Sequence, residues 1–289
     1  MASLAKYRNG NYTVRIYTDG TKIRETPDDE FIAEFPESMD VKITNQCDMG
    51  CPFCHEGSTP NGKHGILEHR FLDTLRPGTE LAIGGGNPLS HPDLVSFLTN
   101  MKARGIICNI TVNINHLDLP RLERLMSERL IWGLGVSVTR FNPIALSFAR
   151  SHPNVVLHVI NGVIPISDLK EYSGTKVLIL GYKTFRRGKD FLSEEVRHRM
   201  DEMHRGLGNL LPLFKVVSFD NLAITQLKPE RFLTPAEYDE FYMGDDGQFT
   251  MFIDLVEGKF ARNSTSEERF ELRDSIDEMF GIVQGRVIA

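Results

Sequence analysis

Cysteine is scarce in this sequence, four residues in 289, which is too few for a disulfide-stapled secreted scaffold. No uninterrupted apolar run is long enough to cross a bilayer, and Met1–Arg8 has no apolar leader core. A soluble, cytoplasmic protein with no membrane partner is therefore expected. Positive charge is also short: 33 Lys and Arg against 39 Asp and Glu leave a net charge of −6. Broad binding to a phosphate backbone needs a basic surface, so nucleic acid is not expected as a partner. Residues 226–289 contain no cysteine, so a second metal cluster there would need another chain. No repeat or low-complexity segment divides the chain, and 41% hydrophobic residues suffice for a sizeable core.

What cysteine there is lies together. Cys47, Cys51 and Cys54 form a Cys-x3-Cys-x2-Cys run, with Cys108 far away. Thiolates this close suit a metal more than a disulfide, and iron–sulfur clusters use short-spaced runs of this kind. A four-iron cluster wants four ligands, so three leave one iron open for chemistry. A structural zinc site completed by His55 is the competing reading, since Cys3His is a legitimate set. Val41–Thr44 reads as a strand running straight into the loop.

The cysteine spacing, with Phe53 before the last Cys, resembles the signature of the radical S-adenosylmethionine (SAM) enzymes. A second stretch agrees: Glu80–Ile83 reads as a strand, followed by Gly84-Gly85-Gly86-Asn87-Pro88 and a helix. It is similar to the family's Gly-Gly-Glu-Pro motif, with Asn87 where Glu is usual. The resemblance implies a four-iron four-sulfur cluster on Cys47, Cys51 and Cys54. It implies SAM held by Gly85, Gly86 and Asn87, with adenine near the backbone of Phe53. It also implies reductive cleavage of SAM to a 5′-deoxyadenosyl radical, an electron donor such as a flavodoxin or ferredoxin, and hydrogen abstraction from a small-molecule or peptide substrate. A glycyl-radical-enzyme activase is an alternative, as is a non-catalytic zinc or iron–sulfur protein.

The strand pattern fits that fold. Ile106–Ile114 alternates Cys108, Ile110, Val112 and Ile114 with Asn109, Thr111, Asn113 and Asn115, and Ile131–Thr139 alternates Trp132, Leu134, Val136 and Val138 with Gly133, Gly135, Ser137 and Thr139. Barrel strands turn their apolar face to the helices, which points the Asn/Thr row inward and makes Cys108 a core thiol. An α/β fold is expected: a partial (β/α)6 TIM-type barrel of radical SAM type over residues 38–225. Residues 1–37 give an N-terminal β-hairpin, turning at Asp19-Gly20, and connector; residues 226–289 give a small C-terminal extension. By position at strand ends, Asn113, Ser137, Thr139 and Asn161 join the SAM candidates, whereas His158 reads as an interior residue. The basic run Tyr182–Lys189 is either an anion site or a solvated connector, and Lys183, Arg186 and Asp220 are the catalytic candidates. Ser58–Gly65 is either a lid or a solvated turn. Helices are expected at 67–75, 194–205, 235–243 and 266–280, and strands at 215–221 and 248–255.

Overall fold

The computed structural model describes residues 2–286. Three strands, β1 (Ser3–Asn9), β2 (Tyr12–Tyr17) and β3 (Lys22–Glu25), form an antiparallel sheet, one strand more than the expected hairpin. The added strand β1 pairs along the whole of β2, a partnership its own half-exposed, weakly alternating sequence does not announce. This sheet closes the lower mouth of the barrel. Tyr12, Val14 and Ile16 are buried in the common core, while Lys22 and Arg24 pair with Glu37 just before the first barrel strand.

The main sheet begins with β4 (Ser38–Thr44), β5 (Glu80–Gly85), β6 (Ile107–Asn113), β7 (Gly133–Ser137), β8 (Val155–Ile160) and β9 (Lys176–Leu180), each parallel to the next. These six match the strand number of the expected (β/α)6 barrel. A seventh, β10 (Val216–Phe219), adds parallel to β9 at one end. At the other end β11 (Thr250–Asp254) lies parallel to β4, followed by the antiparallel β12 (Lys259–Ala261) and β13 (Phe270–Glu271). The sheet order runs from β10 to β13 and does not close, as expected of a partial barrel. Residues 226–286 are no separate appendage, since Phe249, Met251, Ile253, Phe260, Met279 and Phe280 share the barrel's single main core.

Helices α1 (Leu94–Ala103), α2 (Leu119–Ser127), α3 (Pro143–Ser151), α4 (Ile166–Lys170), α5 (Arg187–Phe191), α6 (Glu194–Leu210) and α7 (Asn221–Leu227) follow β5 to β10. Their starts are written in side-chain caps: Asp118, Asn142, Ser193 and Asp220 each accept from an amide of the first turn. Helix α8 (Pro235–Phe241) opens with a capping box of Thr234 and Glu237. Helix α9 (Ile276–Val283) is later and shorter than the helix expected over 266–280, because residues 270–271 pair with β12 first. The helix expected over 67–75 is a single 3-10 stretch, Arg70–Thr74, ended by the extended backbone of Leu75.

The two strand faces separate as the alternation implies. Cys108, Ile110 and Val112 are buried toward the helices, with Asn109, Thr111 and Asn113 half-buried on the other face. That inner face is hollow. A Cβ on Gly135 would strike the His158 ring and Thr111 Oγ1, and one on Gly133 would strike Asn109 Oδ1, so polar side chains occupy the space that branched apolar residues fill in a closed barrel.

Candidate active site

The cysteine loop leaves the C-terminal end of β4, and its neighbours hold it from two sides. On one side the glycine turn docks: Gly86 N–H donates to Thr44 O (2.7 Å) and Asn87 N–H to Gln46 O (2.7 Å). A Cβ on Gly86 would lie 2.2 Å from Gln46 O, and Gly85 takes φ +111°, so this turn needs glycine to let two loops touch. On the other side Thr59 and Lys63 return along Asn45–Cys47: Cys47 N–H donates to Thr59 O (2.8 Å) and Asn45 N–H to Lys63 O (2.8 Å). The stretch 58–65 is therefore a backbone-paired strap on the cysteine loop, neither a free lid nor a solvated turn.

Between loop and turn lies a cavity of about 220 Å³ lined by Gln46, Cys47, Asp48, Pro60, Asn87 and Ser90. The Asn87 side-chain Oδ1 accepts from Leu89 N–H (3.1 Å). Gly84 has open space where its Cβ would be, leaving its backbone accessible. Asn113 and Ser137 stand side by side in register, and Asn113 Oδ1 accepts from Asn115 N–H. Thr139 follows β7, half-buried. Asn161 is set apart from these: it is buried, and its amide donates to Gln226 Oε1 (3.0 Å). Phe53 packs on Phe191 in a satellite apolar cluster with Tyr182 and Val196.

The donor set suits a cluster better than a single ion. Among the described residues one trio has ligand atoms within 4.8 Å of one another, Cys47, Asp48 and His116, and the three cysteines are not such a trio. Tetrahedral zinc with bonds near 2.3 Å would draw its sulfurs to roughly 3.8 Å apart, whereas separate irons of a cluster hold them wider. His55 does not complete a zinc set either, since its Nε2 faces Glu56 (3.2 Å) and the Lys183 ammonium (3.5 Å). Burial first, then the neighbouring thiolates, pushes the Cys47 and Cys51 thiols above their ordinary range, a load that bound iron would relieve. Cys108 is a buried core thiol, pushed up to about 12 by burial. Sequence reasoning passed over Asp48 and His116, which bond at 2.6 Å beside Cys47; no motif marks them.

The basic run is neither of the two things expected. Arg186 donates to Glu56 O and Arg187 to Ser58 O (3.1 Å), so both guanidinium groups pin the backbone that follows the cysteines. Lys183 instead reaches Ser264 Oγ (2.9 Å). Asp220 accepts from Gly181 N–H (2.8 Å) and Ala223 N–H (2.7 Å), a helix cap that ties β9 to α7. Beneath the loop, the Lys42 ammonium is 2% exposed and lies 3.0 Å from Glu56 and 3.1 Å from Asp254. Glu56 stays below the carboxylate range despite its burial, held there by His55 and Lys42.

An open α/β barrel with a three-cysteine loop at the C-terminal end of its strands is thus the class that fold and site define. No protein-family model matches the chain. A probable GTP 3′,8-cyclase of Methanocaldococcus jannaschii is 25% identical over 138 residues, 46% of this chain and 46% of that protein. A PqqA peptide cyclase of Gluconobacter oxydans is 27% identical over 96 residues (31% of this chain, 27% of the relative), and one of Ruegeria pomeroyi 28% over 102 residues (33% and 27%). The matches span less than half the length of these relatives. Streptococcus suis SuiB shares the fold at TM-score 0.59 and 15% identity, both bound to the precursor peptide SuiA and bound to SAM. The match covers 88% of this chain and 67% or 68% of SuiB. The motif and these sequence relatives support the resemblance to the radical SAM superfamily.

Proposed function

We propose that the protein is a radical SAM enzyme that cleaves SAM reductively at one four-iron four-sulfur cluster and abstracts a hydrogen atom from a peptide or small-molecule substrate. The observation that carries this reading is the docking of the glycine turn onto the cysteine loop by two backbone hydrogen bonds, which sets a ligand cavity against Cys47. Cys47, Cys51 and Cys54 would hold the cluster, which supplies one electron, taken from a flavodoxin- or ferredoxin-like donor, to break a carbon–sulfur bond of SAM. The open backbone of Gly84 and the turn Gly85–Asn87 offer the contacts for the methionine end of SAM. Asn113 and Ser137 offer hydroxyl and amide groups for the ribose. Asn87 brings no charge to an ammonium, so the backbone must carry more of that contact than a Glu would leave to it. The inward row Thr111, Gly135 and His158 gives the lumen a polar wall beneath SAM, with Gly135 making room for the His158 ring, and the strands β1–β3 would close the chamber below.

Anaerobic reconstitution with iron and sulfide, then addition of SAM and dithionite, tests the proposal. 5′-Deoxyadenosine and methionine are expected, and both should vanish in Cys51→Ala. Bound zinc without a cluster, or a cluster that leaves SAM intact, would overturn it.

A further inference from the structure

The inner face of β4 carries a carboxylate for which neither SAM nor the cluster gives a use. Met39 and Val41 are buried toward the helices, so Asp40 between them points into the lumen, on the same face as Lys42 and Thr44. β4 is an interior strand, paired on one side with β11 and on the other with β5. Even so Asp40 and its register partner Ala82 are exposed, which on an interior strand means that the space in front of them is empty. Phe252, the partner on β11, is buried and forms an apolar wall beside the carboxylate.

The other acids nearby are matched, and Lys183, the one cation that acts on Asp40, directs its ammonium to Ser264 Oγ (2.9 Å). Lys42 is held by Glu56 and Asp254, and Arg269 by Asp254 and the carbonyls of Ser264 and Ser266. Asp220 caps α7, and Asp246 receives the side-chain amides of Asn221 (2.7 Å) and Asn263 (2.6 Å). Asp40 alone among these has no hydrogen bond or ion pair within the described residues. Although the side chain opens onto the lumen, its enclosure by the barrel wall first raises its affinity for a proton; Lys183 opposes this, while Asp246, Asp220 and Glu56 add to it. The surroundings are thus those of a negative lumen awaiting a cation.

We propose that Asp40 is the substrate anchor of this lumen and takes a cationic nitrogen group, an amine or guanidinium, of the molecule that reacts. This rests on the reading of the lumen as a substrate chamber. An amine placed there gains a charge-assisted hydrogen bond in a partly dehydrated site, the strong kind, and the Phe252 wall accommodates the aliphatic stem that carries it.

The test uses the reconstituted full chain with SAM present and titrates three probes by calorimetry: acetyl-Gly-Lys-Gly-amide, the same peptide with norleucine, and n-butylammonium. The lysine peptide, the amine or both should bind, the pattern telling a peptide substrate from a small amine. The norleucine peptide should bind at least tenfold more weakly. Asp40→Asn should weaken the cationic probes at least tenfold, and Asp40→Glu should restore part of the loss. Equal binding to wild type and Asp40→Asn, or no binding of either cation to wild type, would overturn the proposal. SAM binding and iron content, measured on the same samples, are expected to be unchanged by Asp40→Asn. Loss of those in wild type would instead sink the radical SAM reading, so the two failures are distinct.

Discussion

Glu37, just before β4, and Asp40, within it, are three residues apart, yet they meet opposite environments. Glu37 faces the plug, is fully buried, and is gripped by Arg24 (2.7 Å), Lys22 (3.4 Å) and the Tyr12 hydroxyl (2.7 Å). Although burial opposes its charge, the cations outweigh that cost and keep it below the usual carboxylate range. Asp40, one step higher, faces space and has no partner. The contrast teaches how a barrel open at one end divides its charges: below, each is neutralised to close the fold, and above, one is left for a ligand.

Breaking the plug should have the largest effect. Glu37→Leu strands Arg24 and leaves Lys22 only Glu80, and is expected to cost about 4 kcal/mol, whereas Asp40→Asn should leave stability within about 1 kcal/mol of wild type. Urea unfolding of the two variants checks the difference. If Asp40→Asn were as damaging as Glu37→Leu, the lumen would be as tightly coupled as the plug. Lys42→Met should follow, at about 3 kcal/mol, because it leaves Glu56 and Asp254 facing each other without their cation. It should also lower iron retained per chain, since Glu56 lies two residues beyond Cys54.

His158 sharpens the comparison through pH. Burial pushes its imidazole down to about 4, so the folded chain holds it neutral while the unfolded chain protonates near pH 6.5. Its contribution is therefore full above pH 6.5 and lost as pH falls from there toward 4, by about 2 kcal/mol once the lumen water at its edge is discounted. His158→Gln should flatten the fall in stability across that window relative to wild type. The smallest effect belongs to Asp220→Ala, a lost helix cap worth about 1 kcal/mol in thermal unfolding.

Much of this was legible in the sequence because period-two alternation survives folding. The rows Asn109, Thr111, Asn113 and Cys108, Ile110, Val112 separate as their parity requires. The cysteine loop and the glycine turn were legible because their chemistry is local. What sequence could not give is partnership across the chain. Arg186 and Arg187 read equally as an anion site or a solvated connector until the backbone carbonyls of Glu56 and Ser58 are found opposite them. Asp220 read as a free acid until its amides were placed. Asp40 passed unnoticed because nothing in a short strand says which carboxylate will go unpaired.

The parallel pairing of β11 with β4 has a temporal meaning. The strand that launches the cysteine loop completes its pairing, and its lysine gains its second carboxylate, only with residues 250–254, far along the chain. Contacts so distant along a chain form late. Until residues 250–254 arrive, β4 therefore has β5 as its one neighbour, and Lys42 has Glu56 as its carboxylate partner.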